Sequence, residues 1–369
     1  MSLIIIAGSS HHNTLSVVRA IGSTTGKVQL FIIGDNRSYI SKSKYVTSTI
    51  YFNNVSALIE HLISHIEAYK GASIISCSDV VSQALDSAPL VVWDNINFFR
   101  CKKKTLLTTL MDKSTQVKIA NNIGFNTPAS VKISDANHLN NTIPLPCILK
   151  PSESYKGCKR IILCNNYDEL KKALSQFPPE VEVLAQEYIH KQYEIVIPGF
   201  ANTDKIIVPG IIRKYRDISG ATTYSRVMPF DESTKSLNEQ VRRFITEIKY
   251  EGLFGFEFIF DGNRFYFIEL NLRNDATCCS FIPAGINLPA MYISELDDKK
   301  KYSVTDSYDS IVEFNDFSFV LRHEVPVNDW LRSLKNCKCK YYYSREDIKP
   351  FISALFYWIN NWTFKKVFK

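Results

Sequence analysis

Gly255-Phe-Glu-Phe-Ile-Phe-Asp-Gly-Asn-Arg-Phe-Tyr-Phe-Ile-Glu-Leu-Asn-Leu-Arg273 reads as two alternating strands turned at Asp261-Gly262-Asn263, residue types that tight hairpins favour. Successive side chains on a strand point to opposite faces. Phe254, Phe256, Phe258 and Phe260 therefore take one face of the first strand and Glu257 the other. On the second strand Glu269, Asn271 and Arg273 fall at i, i+2 and i+4, with Ile268, Leu270 and Leu272 opposite. Cross-strand pairing is expected to bring Glu257 beside Glu269. Two carboxylates, an amide oxygen and a guanidinium on one patch need compensation. Magnesium takes oxygen ligands, commonly one or two carboxylates plus nucleotide phosphates, and would meet that need. A hairpin with one solvated polar face accounts for the alternation equally well on its own, so the rest of the chain has to decide.

Working outward, residues 1 to about 100 alternate strand-like and helix-like periods. Apolar runs at 3–7, 28–33, 72–77 and 90–92 read as buried strands, and 12–21, 55–68 and 80–85 carry helical spacing. Repeated βαβ units predict a parallel sheet, which binds ligands beyond the carboxyl ends of its strands. The loop Gly8-Ser-Ser-His-His-Asn13 stands at such an end and lacks G-x-G-x-x-G, which speaks against a nicotinamide site. Residues 104–123 read as one helix closed by Gly124 and Pro128. A compact α+β pattern spans 131–189, with strands near 131–133, 147–150, 160–164 and 181–187 and a helix at 167–177. Longer alternating strands follow at 194–200, 206–214 and 222–227, then a helix near 234–248 and the hairpin. Lys214 and Arg216 share a face if their segment is a strand, a geometry suited to a γ-phosphate or a substrate carboxylate.

The order of these segments resembles the ATP-grasp superfamily from about Lys113 to Ala276. That resemblance implies a magnesium- (or manganese-) dependent, ATP-using carboxylate–amine ligase working through an acyl-phosphate. Asp112-Lys113 and Cys147-Ile-Leu-Lys150-Pro-Ser152 match the two lysine segments that hold α- and β-phosphates. Gln186-Glu187-Tyr188-Ile189 matches the hinge whose backbone reads adenine, and Glu194 the acid that takes the ribose hydroxyls. Glu257, Glu269 and Asn271 match the metal ligands, and Arg273 an arginine on the transferred phosphoryl group. The loop 151–159, usually glycine-rich, holds one glycine; Ser152, Ser154 and Lys156 or Lys159 are its candidate phosphate contacts. The resemblance implies a parallel-sheet pre-ATP-grasp domain at 1–103, a linker helix and small lobe at 104–190, and a large lobe with antiparallel sheet and metal site at 191–325. The segments 4–22 and 41–46 are similar to the N-terminal domain of ligases like D-aspartate ligase. That likeness implies a cell-envelope or amino-acid substrate, with Ser9, Ser10, His11 and Asn13 bordering the acceptor or acid pocket. Carboxylation, thiol ligation and nucleotide binding without turnover are the alternative expectations.

Composition sets the outer bounds. With 369 residues, 45% hydrophobic and 22% charged, the chain can fill two or three compact units. Its start, Met1-Ser-Leu-Ile-Ile-Ile-Ala7, has no basic leader and reads as a first strand rather than a signal peptide. Nine scattered cysteines fit free thiols in a reducing cytoplasm, and Cys337-x-Cys339 lacks a second half-site for zinc. From Arg332 onward nine basic residues face two acidic ones, which accounts for the whole net charge of +7. No nucleic-acid reader fold accompanies them. Residues 326–369 are expected to form a basic, aromatic tail whose helix, 351–362, docks on the body in preference to a membrane surface. The partners expected are a small-molecule carboxylate and amine, and a homodimer is one arrangement allowed.

Overall fold

The computed structural model describes residues 3–133, 143–152, 161–218, 220–294, 296–297 and 300–367, with side chains through 359. The N-terminal apolar run Ile4–Gly8 becomes the centre of a five-stranded parallel sheet. Its order is Val46–Phe52, Val28–Ile33, Ile4–Gly8, Ser73–Ser76 and Asn97–Phe98. The run 90–92 departs from expectation: it is the helix Leu90–Asn95, entered through Pro89. Leu90 and Val91 are exposed; an apolar run this short does not separate strand from helix by periodicity.

A four-stranded antiparallel sheet follows, in the order Ser130–Ile133, Val183–Glu187, Cys147–Pro151 and Ile162–Cys164. The helix Tyr167–Leu174 buries Leu170 and Ala173 against it, capped by Asn166. The third sheet is nine-stranded and largely antiparallel. It runs from Phe265–Asn271 through Tyr250–Phe260, Tyr193–Ala201, Ile211–Ile218 and Ala221–Met228 to Tyr308–Ile311 and Cys339–Lys340. The phenylalanine face of the hairpin is the core of this layer: Phe256, Phe258 and Phe267 cluster with Phe125 and with Phe244 of the helix Lys235–Ile248. The mixed α/β architecture, parallel first and antiparallel after, is the one the sequence implies.

The expected single helix over 104–123 is two, Leu106–Leu110 and Lys113–Ile123. The break is chemical. Asp112 leaves helical geometry and its carboxylate accepts from the Ser114 and Thr115 amides (3.4 and 3.2 Å), as an N-cap does.

The C-terminal segment is tied to the first helix, His12–Thr25, by a buried ion pair. Arg19 donates to the Asp347 carboxylate (3.0 Å) and to the carbonyls of Tyr341, Tyr342 and Asp347, while Ser43 and the Lys44 amide donate to the same carboxylate. Removing one partner of such a pair strands the other in a dry site, which is why the penalty exceeds the worth of the pair. Asp347→Ala is expected to cost about 3 kcal/mol in urea unfolding; a loss within the error of wild type would show the tie to be dispensable.

Candidate functional site

The hairpin pairs Glu257 directly with Glu269 and Gly255 with Asn271. Strict alternation fails nearby. Phe258 pairs with Phe267, so Ile268 is an extra residue in the second strand, a bulge that switches the faces of what lies beyond it. Phe267, which has the same parity as Glu269, is thereby turned into the core, and Leu270 stays there, while Ile268, expected beside Leu270, is only half-buried. Gly255 has no side chain because Asp275 lies over it: an added Cβ would stand 2.9 Å from the Asp275 Cβ.

Each carboxylate meets an ammonium group from a separate element. Lys113, first residue of its helix, reaches Glu269 at 3.0 Å. One helical turn on, Gln116 is buried and pairs with both backbone groups of Leu270: its amide donates to the Leu270 carbonyl (2.9 Å) and accepts from the Leu270 amide (2.8 Å). That clamp fixes the helix against the strand and so sets Lys113 over Glu269. Gln116 was not singled out in the sequence; its only signal is its spacing of three from Lys113 on a helix. Lys214 reaches Glu257 (2.8 Å) and Glu194 (3.0 Å). Burial opposes its charge, but the two carboxylates outweigh burial and hold the ammonium protonated. Glu269 is held down to about 2, first by Lys113, against the cost of burial. Burial pushes Glu257 up despite Lys214.

Lys150 lies on the four-stranded sheet, is 3% exposed, and donates to the Gln186 side chain (2.8 Å). Burial lowers its pKa to about 7, helped by the charge on Lys113 and opposed by Glu269 and Glu257. The two lysines and the two carboxylates are therefore electrostatic neighbours. The Ser152 hydroxyl donates to Asp112, which burial would raise but which this bond and those from Ser114 and Thr115 hold down to about 2. Ser152 thus braces the start of the Lys113 helix. Ser154, Lys156 and Lys159 lie outside the described residues.

Several residues sit differently from expectation. Lys214 and Arg216 do not act on one face, because the register shifts between them. Arg216 instead forms a two-point pair with buried Asp316 (2.8 and 2.7 Å) and stands away from the carboxylates. Glu194 is engaged by Lys214 and by Lys191 (2.6 Å). At the hinge, the Glu187 amide donates to Ala129 and the Tyr188 amide to Pro146 (2.8 and 3.0 Å), so those two donors are taken; Ile189 follows, half-buried. Arg273 donates to Asp79 (2.9 Å) and to the Asn271 oxygen (3.0 Å). Asp79 heads a helix after the fourth strand of the parallel sheet, so Arg273 joins the hairpin to the N-terminal layer. Asn13 and Asn274 add to this seam: Asn13 donates to the carbonyls of Cys77 (3.1 Å) and Asn274 (3.0 Å).

Across the seam lies a cavity of about 310 Å³ walled by Ser9, His11 and Asn13 on one side and Lys214, Glu257 and Arg273 on the other. Ser10 instead shares a hydrogen bond with Ser38 (2.9 Å). Among the described residues no group of three or more His, Cys, Asp and Glu side chains is placed to hold a metal ion. Glu257, Glu269 and the Asn271 amide, the candidate ligands of the sequence, offer oxygen, the type a hard divalent cation takes; in this structure they are paired with Lys214, Lys113 and Arg273.

Residues 110–277 match the family model described as ATP-grasp domain. The carbamoyl phosphate synthase large chain of Saccharolobus solfataricus is 24% identical over 184 residues, covering 46% of this chain and 17% of that one; the chain thus spans about a sixth of the length of that relative. Among solved structures, N5-carboxyaminoimidazole synthetase from Staphylococcus aureus complexed with ADP superposes with a TM-score of 0.68 at 15% identity, covering 88% of this chain and 86% of that one. The L-amino acid ligase from Bacillus licheniformis gives 0.64 at 13% identity, covering 84% and 80%. The biotin carboxylase domain of Hydrogenobacter thermophilus 2-oxoglutarate carboxylase, bound to MgADP, ADP and bicarbonate, gives 0.67 at 16%, covering 85% and 74%.

The low Lys150 pKa has a measurable consequence. Above pH 7 the free side chain is largely neutral, and a polyphosphate laid against it restores the charge. Binding of a nucleoside triphosphate at about pH 8 should therefore take up a proton, and affinity should fall as pH rises from about 7 to 9. Calorimetry in two buffers of different ionisation heat reads the uptake. Equal uptake in Lys150→Met would assign the proton elsewhere.

Proposed function

We propose that this chain, which carries an ATP-grasp domain at residues 110–277, uses ATP to activate a carboxylate as an acyl-phosphate and joins it to an amine. The observation that carries the reading is the convergence of Lys113 and Lys150, from two separate elements, on the Glu257/Glu269 pair beside a cavity that the N-terminal loop completes. Binding without turnover does not call for charges this closely balanced around an oxygen donor set.

In this reading Lys113 and Lys150 hold the α- and β-phosphates, where fixed cations match fixed anionic oxygens. Glu257, Glu269 and Asn271 would hold a magnesium or manganese ion, whose chemistry there would be charge neutralisation of the nucleotide phosphates. Gln186 keeps Lys150 aimed, and the Glu187–Ile189 segment borders the adenine. Glu194, on the edge of the Lys214 network, takes the ribose. Arg273 and Lys214 face the cavity at its carboxylate end and orient the acid for in-line attack on the γ-phosphorus. Ser9, His11 and Asn13 border the second substrate, as in ligases similar to D-aspartate ligase. Arg216, spent on Asp316, positions the strand rather than touching substrate.

A second reading is carboxylation through carboxyphosphate. It is favoured by the structural neighbours, which include N5-carboxyaminoimidazole synthetase and a bicarbonate-bound biotin carboxylase domain. An assay of ADP release separates the two: amino acids with hydroxylamine as trap, against bicarbonate alone. Hydroxamate formed from an amino acid supports the amide ligase, and bicarbonate-dependent ADP release without hydroxamate supports carboxylation. Glu269→Gln removes the charge that Lys113 and the metal share, and should lower ADP release about a hundredfold or more with its melting transition retained. Undiminished turnover in that variant contradicts the metal assignment.

A further inference from the structure

The terminal helix Ile348–Val367 packs one face and leaves another bare. Phe351 stacks on Phe314 (5.3 Å between ring centroids), Trp358 lies against Phe314 and Phe317 (6.2 and 5.9 Å), and Ala354 is buried. This is the docked helix the sequence implies. A quarter to a third of a turn away, Lys349, Ile352, Phe356 and Ile359 recur at i, i+3, i+7 and i+10, one face of a helix, and all four are exposed. Phe356 is 62% and the neighbouring Tyr357 64% exposed. The helix Val327–Asn336 adds exposed Val327 and Leu331 at i and i+4.

Between these two helices and Glu313–Leu321 lies a cavity of about 370 Å³, walled by Phe314, Phe317, Trp330, Leu334, Phe351 and Trp358. The indole N–H of Trp330 is buried there and finds no acceptor among the described residues. The exposed charge on the same two helices and their connection is mostly basic. Arg332, Lys335, Lys338, Arg345 and Lys349 are exposed. Of the acids in that stretch, Glu346 is exposed and Asp347 is consumed by Arg19; Asp329 is paired with Arg332 (2.9 Å).

We infer that this face docks the protein onto an anionic phospholipid surface, with the aromatic and aliphatic side chains in the interface and the basic ones among the headgroups. No helix among the described residues is long and apolar enough to cross a membrane, so the contact is peripheral. A second copy of the chain is the poorer occupant: a two-fold interface places the same patch against itself and would oppose its basic residues to one another. The inference stands on the tail alone and does not depend on the ligase reading.

Flotation of the full chain with vesicles of phosphatidylcholine, alone or mixed with phosphatidylglycerol, tests it. The wild type should float with the mixed vesicles, lose them as salt is raised, and ignore the neutral ones. Phe356→Glu should weaken binding about tenfold or more, and Lys349→Glu combined with Arg345→Glu should weaken it and flatten the salt dependence. These positions are exposed, and a melting curve checks that each variant is folded. Failure of the wild type to float, flotation unchanged by Phe356→Glu, or a dimer that Phe356→Glu splits while vesicles are ignored would each overturn the proposal.

Discussion

Two carboxylates placed opposite each other on adjacent strands repel, and removing them from water raises the cost of their charge. Glu257 and Glu269 are in that position, and the layout around the candidate site is the set of elements that compensates them. The compensating cations come from elsewhere in the fold: Lys214 from the strand Ile211–Ile218, two places across the same sheet, and Lys113 from the start of a helix, while Lys150 stands on the separate four-stranded sheet with its charge opposed by burial. Neither Lys214 nor Lys113 is local in sequence to the acid it faces. The hairpin thus needs the assembled fold to be tolerable, and the assembled fold leaves a cluster whose charges are close to balanced before any ligand arrives.

The positions of those cations depend on contacts that do not involve the two acids themselves. Gln116 clasps the backbone of Leu270 beside the bulge, and Asp112 caps the helix while bonded to Ser152 at the end of the Lys150 strand. Through these two contacts the Lys113 helix is fixed to the large sheet and to the small one at once. A buried amide paired on both of its polar ends loses little on folding and leaves no orphaned donor. The N-terminal layer is held by a comparable seam, with Arg273 on Asp79 and Asn13 on Asn274. The cavity exists because that seam brings the loop after the first strand over the end of the hairpin.

At the far end, Arg19 and Asp347 fasten the C-terminal segment to the first helix, and the terminal helix then buries its Phe351 and Trp358 side. The charge that the sequence concentrates there is largely left facing solvent, because the acids nearby are already used in internal pairs. A basic, aromatic surface is therefore a product of folding as much as of composition.

The sequence alone determined most strand and helix periods, the parallel first layer, and the presence of Glu257 and Glu269 on facing strands of one hairpin; their direct pairing was completed by the bulge at Ile268. It also made the order of Lys113, Lys150 and the acidic hairpin legible as a nucleotide-site pattern. What it left open was decided by contacts between distant segments. The bulge at Ile268 and the register shift after Lys214 are properties of two strands together, so parity within one strand placed Ile268 and Arg216 wrongly. The break at Asp112 depends on whether a carboxylate caps or is passed over, and the run at 90–92 is too short to declare its period. Asp79 and Asp316 carry no local signature, and Gln116 only its helical spacing from Lys113, because their work is to meet a partner 194, 100 and 154 residues away. Such partners are chosen by packing and charge balance in three dimensions, which tertiary structure alone supplies.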